Sequence, residues 1–161
     1  MSNENKFKKI LTLVGRGNNG KSTVLKLLIK RILSNKDEYL VVDKKYDTNI
    51  EYINYLNGLD EEKDVTCCIR QIKTGKMFAI TTYGDEKSIL QSQFNKAVKN
   101  NCKFVVCASH ETDTMYEFLL KQAECVERVY KFKELKKDFT IYNNMLVNYL
   151  YDCISLSLKE F

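Results

Sequence analysis

Proline is absent from this 161-residue chain, and glycine occurs only six times. Its turns therefore rest on Gly, Asn and Asp, residues that tolerate tight or left-handed backbone. No apolar run approaches the 18 or more residues of a membrane span. The opening segment, Met1-Ser2-Asn3-Glu4-Asn5-Lys6, is polar and has no signal-peptide core, so a cytoplasmic protein without membrane attachment is expected. There is no internal repeat, low-complexity tract or linker, and the length suits a single domain over 1–161 with a proper core. No C-x-x-C pair occurs among the six cysteines. Cys102, Cys107 and the single histidine, His110, lie close in sequence. The odd separation of the two thiols on one expected strand puts them on opposite faces of a sheet. Reduced, buried thiols are the expectation, in place of a metal cluster or a disulfide framework.

What is present is ordinary in bulk and specific in one place. The chain is 44% hydrophobic and 29% charged, as in a typical globular domain. A net charge of +5 is compatible with phosphate-rich ligands without singling out nucleic acid. The densest basic stretch, Lys131-Phe-Lys-Glu-Leu-Lys-Lys137, reads as a solvated edge and loop, with an acidic or nucleic-acid partner as the weaker alternative.

The specific feature is Gly15-Arg16-Gly17-Asn18-Asn19-Gly20-Lys21-Ser22, which fits G-x-x-x-x-G-K-[ST]. The β-branched apolar run Ile10–Val14 before it reads as a buried strand, and Thr23 to Leu33 after it as a helix. With average residue usage, four fixed positions coincide by chance in a chain this long ~0.5% of the time. The correct flanks make chance poorer still. Gly15 and Gly20 permit backbone angles closed to other residues and leave no Cβ to repel a polyphosphate. Amides from about Gly17 to Thr23 then converge on a β-phosphate at the positive end of a helix. Lys21 supplies a point charge for β- and γ-phosphate oxygens, Ser22 a hydroxyl for Mg²⁺, and Thr23 an amide or hydroxyl for an α-phosphate.

On these residues the chain resembles the P-loop NTPase superfamily, and the alternation of strands and helices extends that resemblance beyond the motif. Strands are expected at Tyr39–Asp43, Asp64–Ile72, Lys76–Thr82, Phe104–Ala108 and Val126–Phe132. The second and third of these form an antiparallel hairpin around Lys73-Thr74-Gly75. Helices are expected near Ile50–Leu56, over Glu86–Lys99, after a Thr112 cap and after an Asp138 cap. The pattern predicts an α/β fold, a mostly parallel sheet with helices on both faces and one antiparallel hairpin.

Ligands of such sheets gather at the carboxyl ends of the strands, which nominates Asp43 with Asp47, the Thr81–Asp85 segment, and Ser109–Thr112. The resemblance implies a Walker B acid at the end of an apolar strand, but Thr81 and Thr82 stand where it is expected. Thr81-Thr82-Tyr83-Gly84 is similar to the D-x-x-G turn of Ras-like GTPases with Thr for Asp. That implies a nucleotide-sensing role for Gly84 or Asp85, against an ordinary turn. In several P-loop kinases an Asp closes the second strand and handles the acceptor hydroxyl, a role Asp43 matches; a turn aspartate is the plainer reading. His110, with Glu111 beside it, is a candidate catalytic residue by position. Arg16 and Asn18 point toward a γ-phosphate or attacking water. The N/T-K-x-D string that reads guanine in GTPases is missing from the late strands, which favours ATP over GTP.

The expected activity is binding of a Mg-nucleoside triphosphate with slow or partner-stimulated hydrolysis. The catalytic set is Lys21, Asp43, Asp85 and His110, and the metal set Ser22, Asp43 and Asp85. A small kinase with the Lys44–Asp64 segment as acceptor cap, and a non-turnover subunit regulated by bound nucleotide and a protein partner, are the alternatives.

Overall fold

β1 (Phe7–Gly15) is buried along almost its whole length, as a central strand covered on both faces must be. The computed structural model describes residues 7–16, 20–131 and 139–161. After β1 come α1 (Lys21–Leu33), β2 (Tyr39–Val42), α2 (Asn49–Asn57), β3 (Thr66–Gln71) and β4 (Met77–Thr81). They are followed by α3 (Lys87–Lys99), β5 (Phe104–His110), α4 (Asp113–Gln122), β6 (Ala123–Tyr130) and α5 (Phe139–Ser157). Among the described residues the six strands make one sheet in the order β2-β3-β4-β5-β1-β6. β1 is parallel to both β5 and β6, and β4 is parallel to β5; β3 alone runs against its neighbours β2 and β4. The α/β class, the mostly parallel sheet and the antiparallel hairpin are as the sequence pattern indicates.

Alternation along the strands builds two cores. Phe104, Val106 and Ala108 face one layer, with Val24, Leu25, Leu28, Ile29 and Ile32 of α1 and Leu150 and Ile154 of α5. Val105 and Cys107 face the other, with Leu90 and Phe94 of α3 and Met115 and Leu119 of α4. Each fully buried aliphatic side chain contributes about 1.5–3 kcal/mol relative to exposure, so the paired layers hold the sheet edge that carries the loop.

Element ends differ from the sequence expectation in ways that matter. α1 starts at Lys21, two residues early, because Gly20 takes a left-handed conformation (φ 82°) and turns the chain directly into the helix. β5 runs on through Ser109 and His110, so His110 ends the strand instead of following it. β6 begins at Ala123 with no connecting loop after α4, three residues before the expected start at Val126. Cys102 precedes β5 and so is not on the strand with Cys107. Four cysteines are buried, but Cys125 is exposed and Cys153 half-buried, since edge strand β6 and the outer side of α5 leave them uncovered. The expected Asp138 cap lies outside the described residues. No helix among the described residues is long and apolar enough to cross a membrane.

Asn49, at the start of α2, ties the edge to the core. Its side chain accepts from Val41 N (2.8 Å) and donates to Tyr39 O (2.7 Å) and Leu33 O (3.1 Å), all buried. Asn49→Ala leaves those backbone groups unpaired, at 1–3 kcal/mol for each truly unsatisfied group before water enters. We expect a net loss of ~2 kcal/mol and a fall of roughly 4–8 °C in Tm, read by thermal denaturation.

Candidate functional site

The motif lies at the carboxyl end of β1, one strand in from the β6 edge of the sheet. Gly15 closes the strand and pairs in register with His110 of β5. Gly17, Asn18 and Asn19 lie outside the described residues. α1 then begins with no side-chain cap and no acidic residue in its first turn. By contrast α2 and α4 are capped by Thr48 and Thr112 and carry Glu51 and Asp113. No side-chain cap satisfies the first amides of α1, as is also the case for α3, and the carboxylate that faces its first turn comes from outside the helix, from Asp64 on Ser22.

Lys21 is 6% exposed. Its Nζ donates to Gly15 O (3.0 Å) and Arg16 O (2.9 Å), folding the side chain back over the start of the loop. Burial lowers its pKa from the ordinary value; the charge of Asp85 opposes that shift and the ammonium of Lys131 adds to it. Lys131 was expected in a solvated basic stretch, yet it is buried. Its backbone N donates to Val14 O (2.8 Å), and its Nζ lies 5.2 Å from the Tyr142 ring centre. The chain enters the loop beside β1 before leaving the sheet, which carries the first of these lysines inward. Residues 132–138 lie outside the described part. Arg16 and Thr23 are exposed at the two ends of the loop, and Ser22 is half-buried.

Two groups of the sequence candidates converge here. Asp85 Oδ1 meets His110 Nε2 at 2.8 Å, which joins the turn after β4 to the end of β5 beside Gly15. Gly84 allows that approach: a Cβ there would fall 2.2 Å from Ala108 O and 2.5 Å from Ala108 C. The turn thus has a packing reason for glycine that is independent of any phosphate. β5 separates β4 from β1, so this turn does not follow a strand adjacent to the loop strand.

Asp43 is not brought to the loop. It stands exposed after edge strand β2, four strands from β1, and its Oδ1 accepts from Lys45 N (2.8 Å) in a local turn. No hydrogen bond or ion pair joins it to Lys21 or Ser22 among the described residues. The carboxylate that stands beside Ser22 is instead one the sequence did not flag. Asp64, just before β3, accepts from Ser22 Oγ (3.4 Å) and from Thr82 Oγ1 (2.8 Å), both through Oδ1. A signal for it existed. The turn at Lys73–Gly75 sets a register in which Thr66 faces Thr81, and that register folds Asp64 back beside Thr82. The 42-residue separation from Ser22 hid the rest.

Among the described residues no group of three or more His, Cys, Asp or Glu could hold a metal ion. One hydroxyl and one carboxylate, both hard oxygen donors, suit Mg²⁺, which keeps several waters and relies on substrate phosphates for further ligands. Ser22 and Asp64 would hold such an ion, which would draw charge from the phosphate oxygens.

A cleft of about 950 Å³ opens from Asp64 toward β2, bounded by Tyr46, Tyr55, Tyr83, Lys96 and Lys99. Tyr46 and Tyr55 stack with centroids 4.9 Å apart. A second cavity of about 170 Å³, between Thr12, His110, Tyr116 and Arg128, is smaller than sites that enclose ligands of nucleotide size.

No family model matches this chain, nor does any curated protein or solved structure.

Proposed function

We propose that this chain is a P-loop NTPase domain that binds a Mg-nucleoside triphosphate, ATP in preference to GTP, and hydrolyses it slowly or when a partner stimulates it. The observation that carries the reading is Lys21. It is a buried ammonium held on the carbonyls of Gly15 and Arg16, at the uncapped start of the helix that follows a glycine-rich turn. A polyphosphate lying along the α1 amides would meet this ammonium in a charge-assisted pair shielded from water. Order within the sheet supports the same reading, with the loop strand flanked by β5 and β6 and its carboxyl end facing the Asp85–His110 pair.

On this reading Lys21 neutralises the β- and γ-phosphates, and Gly20 with the first α1 amides holds the β-phosphate. His110 and Asp85 stand where a water or γ-phosphate oxygen could be oriented. Slow turnover is expected because no carboxylate ends β4, so no acid from that strand accepts a proton or aligns a nucleophile. Calorimetric titration of the chain with ATP and Mg²⁺, followed by phosphate release over hours, tests the proposal. Heat of binding with turnover well below 1 per second is expected, and absence of binding would refute it.

A second reading, transfer of the γ-phosphate to an acceptor hydroxyl, is favoured by the cleft. It starts at Asp64, is wide enough for a small molecule, and combines stacked tyrosines with lysines, which suits a ring-bearing anionic acceptor. Nucleosides, nucleotides and oligonucleotide 5′-ends are the acceptors to screen for stimulated ATP consumption. Stimulation of tenfold or more, lost in Lys96→Ala/Lys99→Ala, is expected if the cleft takes an acceptor. A flat screen leaves hydrolysis as the activity.

A further inference from the structure

We infer that Asp64 is the carboxylate of the magnesium site, supplied by the start of the antiparallel strand β3 in place of the acid that the end of β4 lacks; this rests on the reading of the loop as a triphosphate site. Thr82, where that acid would stand, does not leave the position without charge. Its hydroxyl donates to Asp64 Oδ1 at 2.8 Å and so holds a carboxylate carried in from the neighbouring strand. The same oxygen lies 3.4 Å from Ser22 Oγ, the hydroxyl expected to face the ion.

A purely structural task does not account for this carboxylate. The end of the hairpin is already closed between Val65 and Thr82: Thr82 N donates to Val65 O (2.9 Å), and Val65 N donates to the Thr82 hydroxyl, Oγ1 (2.9 Å). Asp64 forms no ion pair among the described residues, and its Oδ2 makes no hydrogen bond there. An unneutralised carboxylate beside the loop would repel a triphosphate. With a divalent cation between them, the same charge becomes an attraction. The sign of its effect on nucleotide binding must therefore reverse with magnesium. Oδ1 is fixed by two hydroxyls, while Oδ2 is left for the water shell that Mg²⁺ retains.

The reversal is the test. Affinity of a fluorescent ATP analogue is measured for the intact chain and for Asp64→Asn, once in EDTA and once in excess MgCl₂, with a thermal melt of each protein. The intact chain should gain tens-fold in affinity on adding MgCl₂. Asp64→Asn, which keeps the shape and the Thr82 contact, should lose about 10-fold or more of that gain and bind at least as tightly as the intact chain in EDTA. Thr82→Val, which frees the carboxylate without removing it, should lose a smaller part of the gain. If nucleotide binds but Asp64→Asn retains the full magnesium gain, Asp64 is not a metal-site residue and the inference is wrong while the loop reading stands. If no nucleotide binds in either buffer, both fall together.

Discussion

Replacing Lys21 with Met is expected to weaken ATP binding by ~100-fold or more while leaving the melting temperature within about 2 °C of the parent. The two parts have different causes. In the complex the ammonium would meet two phosphate groups inside a site from which water is largely excluded; removing one partner of such a charge-assisted pair costs ~2–5 kcal/mol. In the free protein the same charge is a burden, since burial pushes the Lys21 pKa below its ordinary 10.5. A lowered lysine pKa means the native state disfavours the bound proton relative to the unfolded chain, so loss of the ammonium removes a cost that offsets the hydrogen bonds to Gly15 O and Arg16 O lost with it. Met keeps the apolar stem where Lys21 packs. Affinity should therefore be level across neutral pH and fall as pH rises toward 10.5, beginning earlier than for an ordinary lysine, because only the protonated form binds phosphate. A variant that binds ATP normally, or that unfolds, contradicts this.

The largest effect on stability is expected at Gly84. An alanine Cβ would lie 2.2 Å from Ala108 O and 2.5 Å from Ala108 C, atoms of a β5 backbone held on both sides by β4 and β1. Neither strand can move aside without breaking its ladder, so the turn after β4 must lift away. Gly84→Ala should cost ~3 kcal/mol, near the upper end for overpacking a tight contact, and lower Tm by roughly 6–12 °C. Lifting the turn also withdraws Asp85 from His110, now 2.8 Å apart, so the histidine resonances should shift in the same variant. A Tm unchanged by Gly84→Ala would show that the approach to Ala108 is not tight in solution.

Local periodicity explains how much of this was readable beforehand. Ile10–Val14, Phe104–Ala108 and the leucine face of α1 show their partners through alternation or 3.6-residue spacing alone. At the loop, the turn into α1 was legible because a glycine suits the conformation that precedes the helix. Gly20, with its left-handed φ of 82°, is that glycine. What spacing cannot show is which strand ends meet. β5 enters between β4 and β1, so the Thr81–Asp85 segment meets the loop strand through intermediaries: Asp85 through His110 beside Gly15, and Thr82 through Asp64 on Ser22. Asp43 looked well placed because an Asp after an apolar strand is a strong local pattern, but β2 lies at the sheet edge, where its carboxylate closes a turn on Lys45. Asp64 looked like a strand start and is instead carried to Ser22 by the hairpin register. Lys131 looked solvated because the run of lysines after it dominates the composition, yet the ladder with β1 draws it inward.

The claim beneath all of this is that the loop after β1 recognises the phosphate tail and not the base or sugar. Calorimetry of the chain with ATP, ADP, AMP and adenosine in excess MgCl₂ tests it most directly. Binding of ATP and ADP, with AMP weaker by ~100-fold and adenosine giving no heat, is the predicted result. Equal affinity for adenosine and ATP, or no heat from any of the four, would contradict it.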